Sequence, residues 1–194
     1  MISAREIVER AGVDVTSLID QLAATAAAEL GAVYRYTILT VHQLGFADEG
    51  LRQILKDIRD EDRRHFDALV GRIYELDGTL PEDIRQFLEG GTERPEGGSA
   101  DAADPVAADP VAALAEEVRQ AVHPYGGLCD LTAGRDQRTY LLARAIHDEK
   151  IEHVAWLEEF LGTGLPGRIH RGFRGRSPFL ARLPAAPEGT EPPA

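Results

Sequence analysis

The chain has 194 residues, 43% hydrophobic and 28% charged, the balance of a soluble globular protein long enough to close one core. A formal charge of −12 disfavours nucleic acid and anionic membranes, whose recognition needs clustered Lys and Arg, and suits the attraction of cations. The one cysteine, Cys129, excludes an intrachain disulfide and a Cys/His zinc site; without a signal-peptide pattern or an apolar bilayer-spanning stretch, the expected location is the cytoplasm.

Residues 2–12 predict a short amphipathic helix ended by Gly12, after which Asp14 or Thr16 caps a first long helix at about 16–45. Its apolar stripe is Leu18, Leu22, Ala26, Glu29, Val33 and Tyr36, spaced for one helical face. Glu29 is the odd member, because a lone buried carboxylate costs several kcal/mol unless paired or metal-bound. A second long helix is expected at about 50–77, with Gly78 as its C-cap signal. Its stripe fits two phases, Leu55, Ile58, Asp62, His65, Leu69 or Ile54, Ile58, Glu61, His65, Ala68, so periodicity does not choose between Glu61 and Asp62.

Residues 78–108 change character: a short helix from Pro81 to about Phe87, then Gly-, Pro-, Ala- and Asp-rich sequence that suits a long crossover between two helical hairpins. Asp109-Pro110 opens a third helix, about 109–132, with the stripe Leu114, Glu117, Ala121, Tyr125, Leu128 and a kink expected at Pro124 and Gly126-Gly127. Asp136 caps a fourth, about 137–161, with the stripe Leu142, Ile146, Glu149, His153, Trp156, Phe160. A basic cluster at 168–176 is expected to dock on an acidic neighbouring subunit, and 181–194 has the composition of a flexible tail after a single domain of residues 1–180.

The chemistry lies in a repeat. Glu61 and His65 stand one helical turn apart; Glu149 and His153 repeat that spacing 88 positions later, and Glu29 and Glu117 precede the two pairs at the same offset. Four carboxylates would neutralise two divalent ions, and oxygen donors with imidazole suit Fe²⁺ or Mn²⁺ better than structural zinc. One Glu from each of two helices plus a Glu/His pair from each of the others is the plan of dimetal carboxylate bundles, although there the Glu-to-His spacing is three. Under that spacing the second helix offers Asp62 but the fourth offers Lys150, which does not bind metal while protonated, so the repeat favours Glu61. Tyr36, two turns from Glu29, is placed to hydrogen-bond a ligand or donate an electron.

The segments Glu29-Leu-Gly-Ala-Val-Tyr-Arg-Tyr, Glu61-Asp-Arg-Arg-His-Phe, Arg72-Ile-Tyr-Glu-Leu-Asp-Gly-Thr-Leu-Pro, Cys129-Asp-Leu-Thr-Ala-Gly-Arg-Asp-Gln-Arg-Thr-Tyr and Glu152-His-Val-Ala-Trp-Leu-Glu resemble the Dps-like ferritins, or thioferritins, over residues 5–180. The resemblance implies an all-α ferritin-like four-helix bundle, an intrasubunit di-iron site and a twelve-subunit cage. Such a cage oxidises Fe²⁺ with hydrogen peroxide or O₂ and stores ferric mineral, protecting against oxidative stress. Glu29, Glu61, His65, Glu149 and His153 fall on the family's ligand motifs; in the third helix the family pattern points to Glu116 and the local spacing to Glu117. The family's cysteine pair is reduced to Cys129, with Gln120 at its partner position. Competing readings are a non-cage peroxidase or manganese-catalase-like enzyme and a DNA-compacting bundle without turnover.

Overall fold

The computed structural model describes residues 2–43, 49–91 and 110–164, all helix and connecting turns. Helix α1 (Ala4–Arg10) opens on a reciprocal cap, in which Ser3 Oγ accepts from the Glu6 amide and the Glu6 carboxylate accepts from the Ser3 amide. Helix α2 (Val15–Ile38) is capped by Asp14, which accepts from the amides of Thr16 and Ser17, and runs into a π-helical turn at Leu39–Gln43. Residues 44 and 45 of the expected first helix lie outside the described residues.

Helix α3 (Glu49–Glu75) ends in a left-handed residue, and that residue is Asp77 (φ 58°) rather than Gly78. The Gly78 amide closes back on the Ile73 carbonyl at 2.9 Å and the Asp77 amide on that of Tyr74 at 3.1 Å. Gly78 is required for space: a Cβ there would lie 2.9 Å from Ile73 Cγ2. A short helix α4 (Ile84–Gly91) packs on α2 and sets Phe87 edge-on to Phe66 of α3. The rest of the expected crossover, 92–108, and the first residue of the expected third helix, 109, lie outside the described residues, as do the basic cluster and the tail.

The third long helix is two helices. Helix α5 (Pro110–Gln120) stops at a turn over 121–122, and α6 (His123–Thr132) restarts with Pro124 in its first turn. The expected kink is a full break because Pro124 has no amide to give to residue 120 and its ring would strike that carbonyl; the same proline is favourable where a helix begins. Helix α7 (Gln137–Phe160) is capped by Asp136 and packs on α3, α5 and α6.

Helices α2, α3, α5–α6 and α7 thus form the bundle. Its apolar interior is divided in two. One layer contains Leu18, Leu22, Leu69, Ile73, Leu128, Leu142 and Ile146. The other contains Leu51, Leu55, Ile58, Leu114, Val118 and Leu157. Along α2, α3 and α7 alike, the positions between the layers carry buried charge: Glu29; Glu61, Asp62 and His65; Glu149, Lys150 and His153. The break between α5 and α6 falls at the same level, between Val118 and Tyr125.

Candidate metal centre

The two histidines lie with their rings roughly stacked, centroids 6.1 Å apart, and both are fully buried. Each is held by a carboxylate of the other half of the repeat: His65 Nε2 lies 2.7 Å from Glu149 and His153 Nε2 lies 2.8 Å from Glu61. These crossed pairs turn both Nδ1 atoms toward the middle, where they approach Asp62 Oδ1 at 3.5 Å and 3.6 Å. Lys150 Nζ donates to the same oxygen at 2.7 Å and to Glu29 Oε2 at 2.8 Å. Glu29 is also bound on its other oxygen, by the hydroxyl of Tyr125.

Asp62 and Lys150 are themselves mates in the 88-residue repeat, so an aspartate faces its own counterpart across the centre, and that counterpart is a cation. Helical phase explains the arrangement. Asp62 lies three residues before His65 and faces the middle, as Lys150 does before His153, whereas the glutamates four residues before each histidine reach past the bundle axis to the opposite imidazole. The helix pattern left Glu61 and Asp62 as alternatives; the structure buries both, with Asp62 central and Glu61 behind His153.

Burial without bulk water sets the electrostatics. Burial raises Glu61, the nearby Glu149 raises it further, and the carboxyl is pushed up to about 8. Burial lowers His153, to about 3, so that imidazole is neutral. Burial also acts to lower His65, but contacts with Asp62, Glu149 and Glu29 overcome it and hold His65 well above its ordinary range. For Glu29 the desolvation is outweighed by Lys150 and His65, which keep it far below the usual carboxylate range. Lys150 stays charged, because Asp62 and Glu29 more than offset its burial.

A metal fits this donor set. Asp62 Oδ2, His65 Nδ1 and His153 Nδ1 are buried and have no hydrogen-bond partner. Ligand atoms of Glu29, Asp62 and His65 lie within 4.8 Å of one another. Carboxylate oxygens with imidazole suit a divalent first-row ion, and Glu149 and Glu61 stand where partners of ligating histidines stand, fixing the ring and its tautomer.

Glu117 and Glu116 are not brought to this centre. Glu117 pairs with Arg35 on the surface, side chains about half exposed, and Glu116 bonds Arg119 and Gln120. The buried face of α5 is instead Leu114, Ala115 and Val118. The expected stripe set Glu117 beside Leu114, but the face that α5 buries runs through Leu114, Ala115 and Val118, and Glu117 lies about a hundred degrees away from it. Tyr36 is buried beside the centre, and burial with the charges of Asp62 and Glu29 holds its hydroxyl protonated. Cys129 is half-buried and carries a free thiol, while Gln120 faces out toward Glu116. Two members of the centre escaped the sequence pattern: Tyr125, which looked like ordinary core, and Lys150, which was read only as a non-ligand at the three-residue position and whose one signal was its match to Asp62 in the repeat. Trp156 packs on His153 at 5.2 Å.

The ferritin-like domain model matches residues 19–164. The chain is 45% identical over 184 residues to the DNA protection during starvation protein of Pyrococcus furiosus, covering 92% of this chain and 95% of that one. Among solved structures it is similar to the dodecameric thioferritin, a bacterioferritin-related protein, of Bacteroides fragilis. That match has a TM-score of 0.68 and 27% identity over 82% of this chain and 92% of the other. The all-helical bundle agrees with these comparisons, and the chain belongs to the ferritin-like family, among its Dps-like members.

Proposed function

We propose that the chain is the subunit of an iron-storing ferroxidase cage, in which Fe²⁺ is drawn to the buried centre and oxidised by hydrogen peroxide or O₂ before storage as ferric mineral. The observation that carries this reading is the convergence of Glu29, Asp62 and His65 in a dry layer between two apolar ones. Overall, each peroxide reduced to two waters consumes two protons and one electron from each of two Fe²⁺ ions, whether these are held in one chain or in two. The protein's part is to hold Fe²⁺ on hard oxygen and imidazole donors, with Glu149 and Glu61 orienting the two rings from behind. Manganese suits the same donors. The charge of −12 favours cation entry, and assembly into twelve subunits follows the architecture described for the Bacteroides fragilis relative.

Anaerobic Fe²⁺ followed by peroxide should give ferric absorbance in the wild type. In Glu29→Ala with Asp62→Ala the initial rate should fall at least about tenfold, the scale expected for losing two metal-binding groups. An unchanged rate would sink the proposal. Light scattering on the same preparation separates the cage from a smaller soluble peroxidase: a particle near twelve subunits supports storage, a dimer the alternative.

A further inference from the structure

Helices α3 and α7 bring the same charged residues to the centre at every repeated position but one. Glu61 corresponds to Glu149 and His65 to His153, and the crossed hydrogen bonds are nearly equal in length, 2.7 Å and 2.8 Å. At the remaining position Asp62 is matched by Lys150. We propose that the Lys150 ammonium permanently fills one of the centre's two cation positions, so that each chain binds a single divalent ion there, on Glu29, Asp62 and His65. This rests on the metal-binding reading above and narrows it.

Three observations lead there. Lys150 Nζ already bridges Glu29 and Asp62, at 2.8 Å and 2.7 Å, two of the three groups able to share an ion, and it is itself buried among them. Second, the donors left for another ion are too few. Glu61 and Glu149 are engaged behind the imidazoles, Glu117 is on the surface with Arg35, and Tyr125 from α6 gives its hydroxyl hydrogen to Glu29. That leaves His153 Nδ1 and the unpartnered Asp62 Oδ2, two protein donors on one side of the centre against the three residues that can share the first ion. Third, a second divalent ion would have to enter beside both an ammonium and the first ion, in a layer without bulk water to screen the repulsion. One ion with one ammonium places three positive charges among the acidic side chains Glu29, Glu61, Asp62 and Glu149.

The test is a count of Co²⁺, an ion with visible ligand-field bands, titrated calorimetrically and optically into metal-free full-length protein. Ions bound elsewhere on the surface are subtracted with Asp62→Asn/His65→Ala, which lacks the centre. The wild type should bind one Co²⁺ per chain at the centre and Lys150→Glu two. Lys150→Gln removes the charge without adding a carboxylate; it should keep the count at one and bind that ion at least about tenfold more tightly, for loss of a neighbouring like charge. Circular dichroism and sizing establish that each variant is folded, and the wild-type count decides the matter even if Lys150→Glu does not fold. Two ions in the wild type, or an unchanged affinity in Lys150→Gln, would overturn the role of Lys150 while leaving a metal centre standing. No ion in the wild type but one or more in Lys150→Glu would overturn the single-ion assignment, the ammonium then excluding metal outright. No ion in any of the three overturns the metal reading itself.

Discussion

Glu61 differs from its repeat mate Glu149 in the company it keeps, although both accept the same geometry. Its partner His153 is neutral, whereas Glu149 faces His65, which its carboxylate neighbours hold in the charged form. The carboxyl of Glu61 therefore keeps its proton up to about pH 8, against an ordinary value of 4.5. Between those two pH values the unfolded chain releases this proton and the folded chain does not. The contribution of Glu61 to stability is thus whole below pH 4.5 and is lost as the pH rises through about 8. Infrared spectra of metal-free protein should show a protonated-carboxyl band that disappears between pH 6 and 10 and is missing in Glu61→Gln. A band lost entirely below pH 5 would contradict the burial argument.

At the scale of helices, the phase of α5 is the feature to probe. Glu117→Ala removes one member of an exposed ion pair with Arg35, so it should cost no more than about 1 kcal/mol and leave Co²⁺ binding at the centre unchanged. A lost metal would return Glu117 to the role its place in the repeat suggests. The far end of the bundle is tied differently. Arg72 of α3 donates to Thr139 and to Asp136, the cap of α7, both at 2.8 Å, in a buried network. Arg72→Met leaves Asp136 buried without its cation and should destabilise the protein by about 3–5 kcal/mol, read as a lower denaturation midpoint. Adding Asp136→Asn should recover part of the loss. Helix positions, the two-hairpin plan and the charged layer were all legible in the sequence, because each depends on local caps and on one-turn spacing. The break at Pro124 was visible only as a kink, and the phase of α5, which turns Glu117 outward, was not legible, because Leu114 fits a stripe with either Glu117 or Val118. Which of Glu61 and Asp62 faces the middle was likewise not legible. A helical face about a hundred degrees wide admits both, and only packing against the opposite hairpin separates them.

At the scale of the whole molecule, the hydrogen bonds that hold the centre together run from one hairpin to the other. His65 reaches Glu149, His153 reaches Glu61, and Lys150 reaches Glu29 and Asp62. A hairpin paired with a copy of itself could reproduce the crossed imidazole bonds, since each carries both a glutamate and a histidine at the required spacing. It could not reproduce the middle. Two amino-terminal hairpins would set Asp62 against Asp62, and two carboxy-terminal ones Lys150 against Lys150, in both cases buried like charges. Severing the chain within residues 92–109 and producing the two pieces together should therefore yield mixed pairs in preference to either homodimer. Exchanging the residues, Asp62→Lys with Lys150→Asp, should preserve that preference, while Lys150→Asp alone should weaken it. Opposite charge at one repeated position is in this sense an address: it tells the bundle's two halves which of them is which.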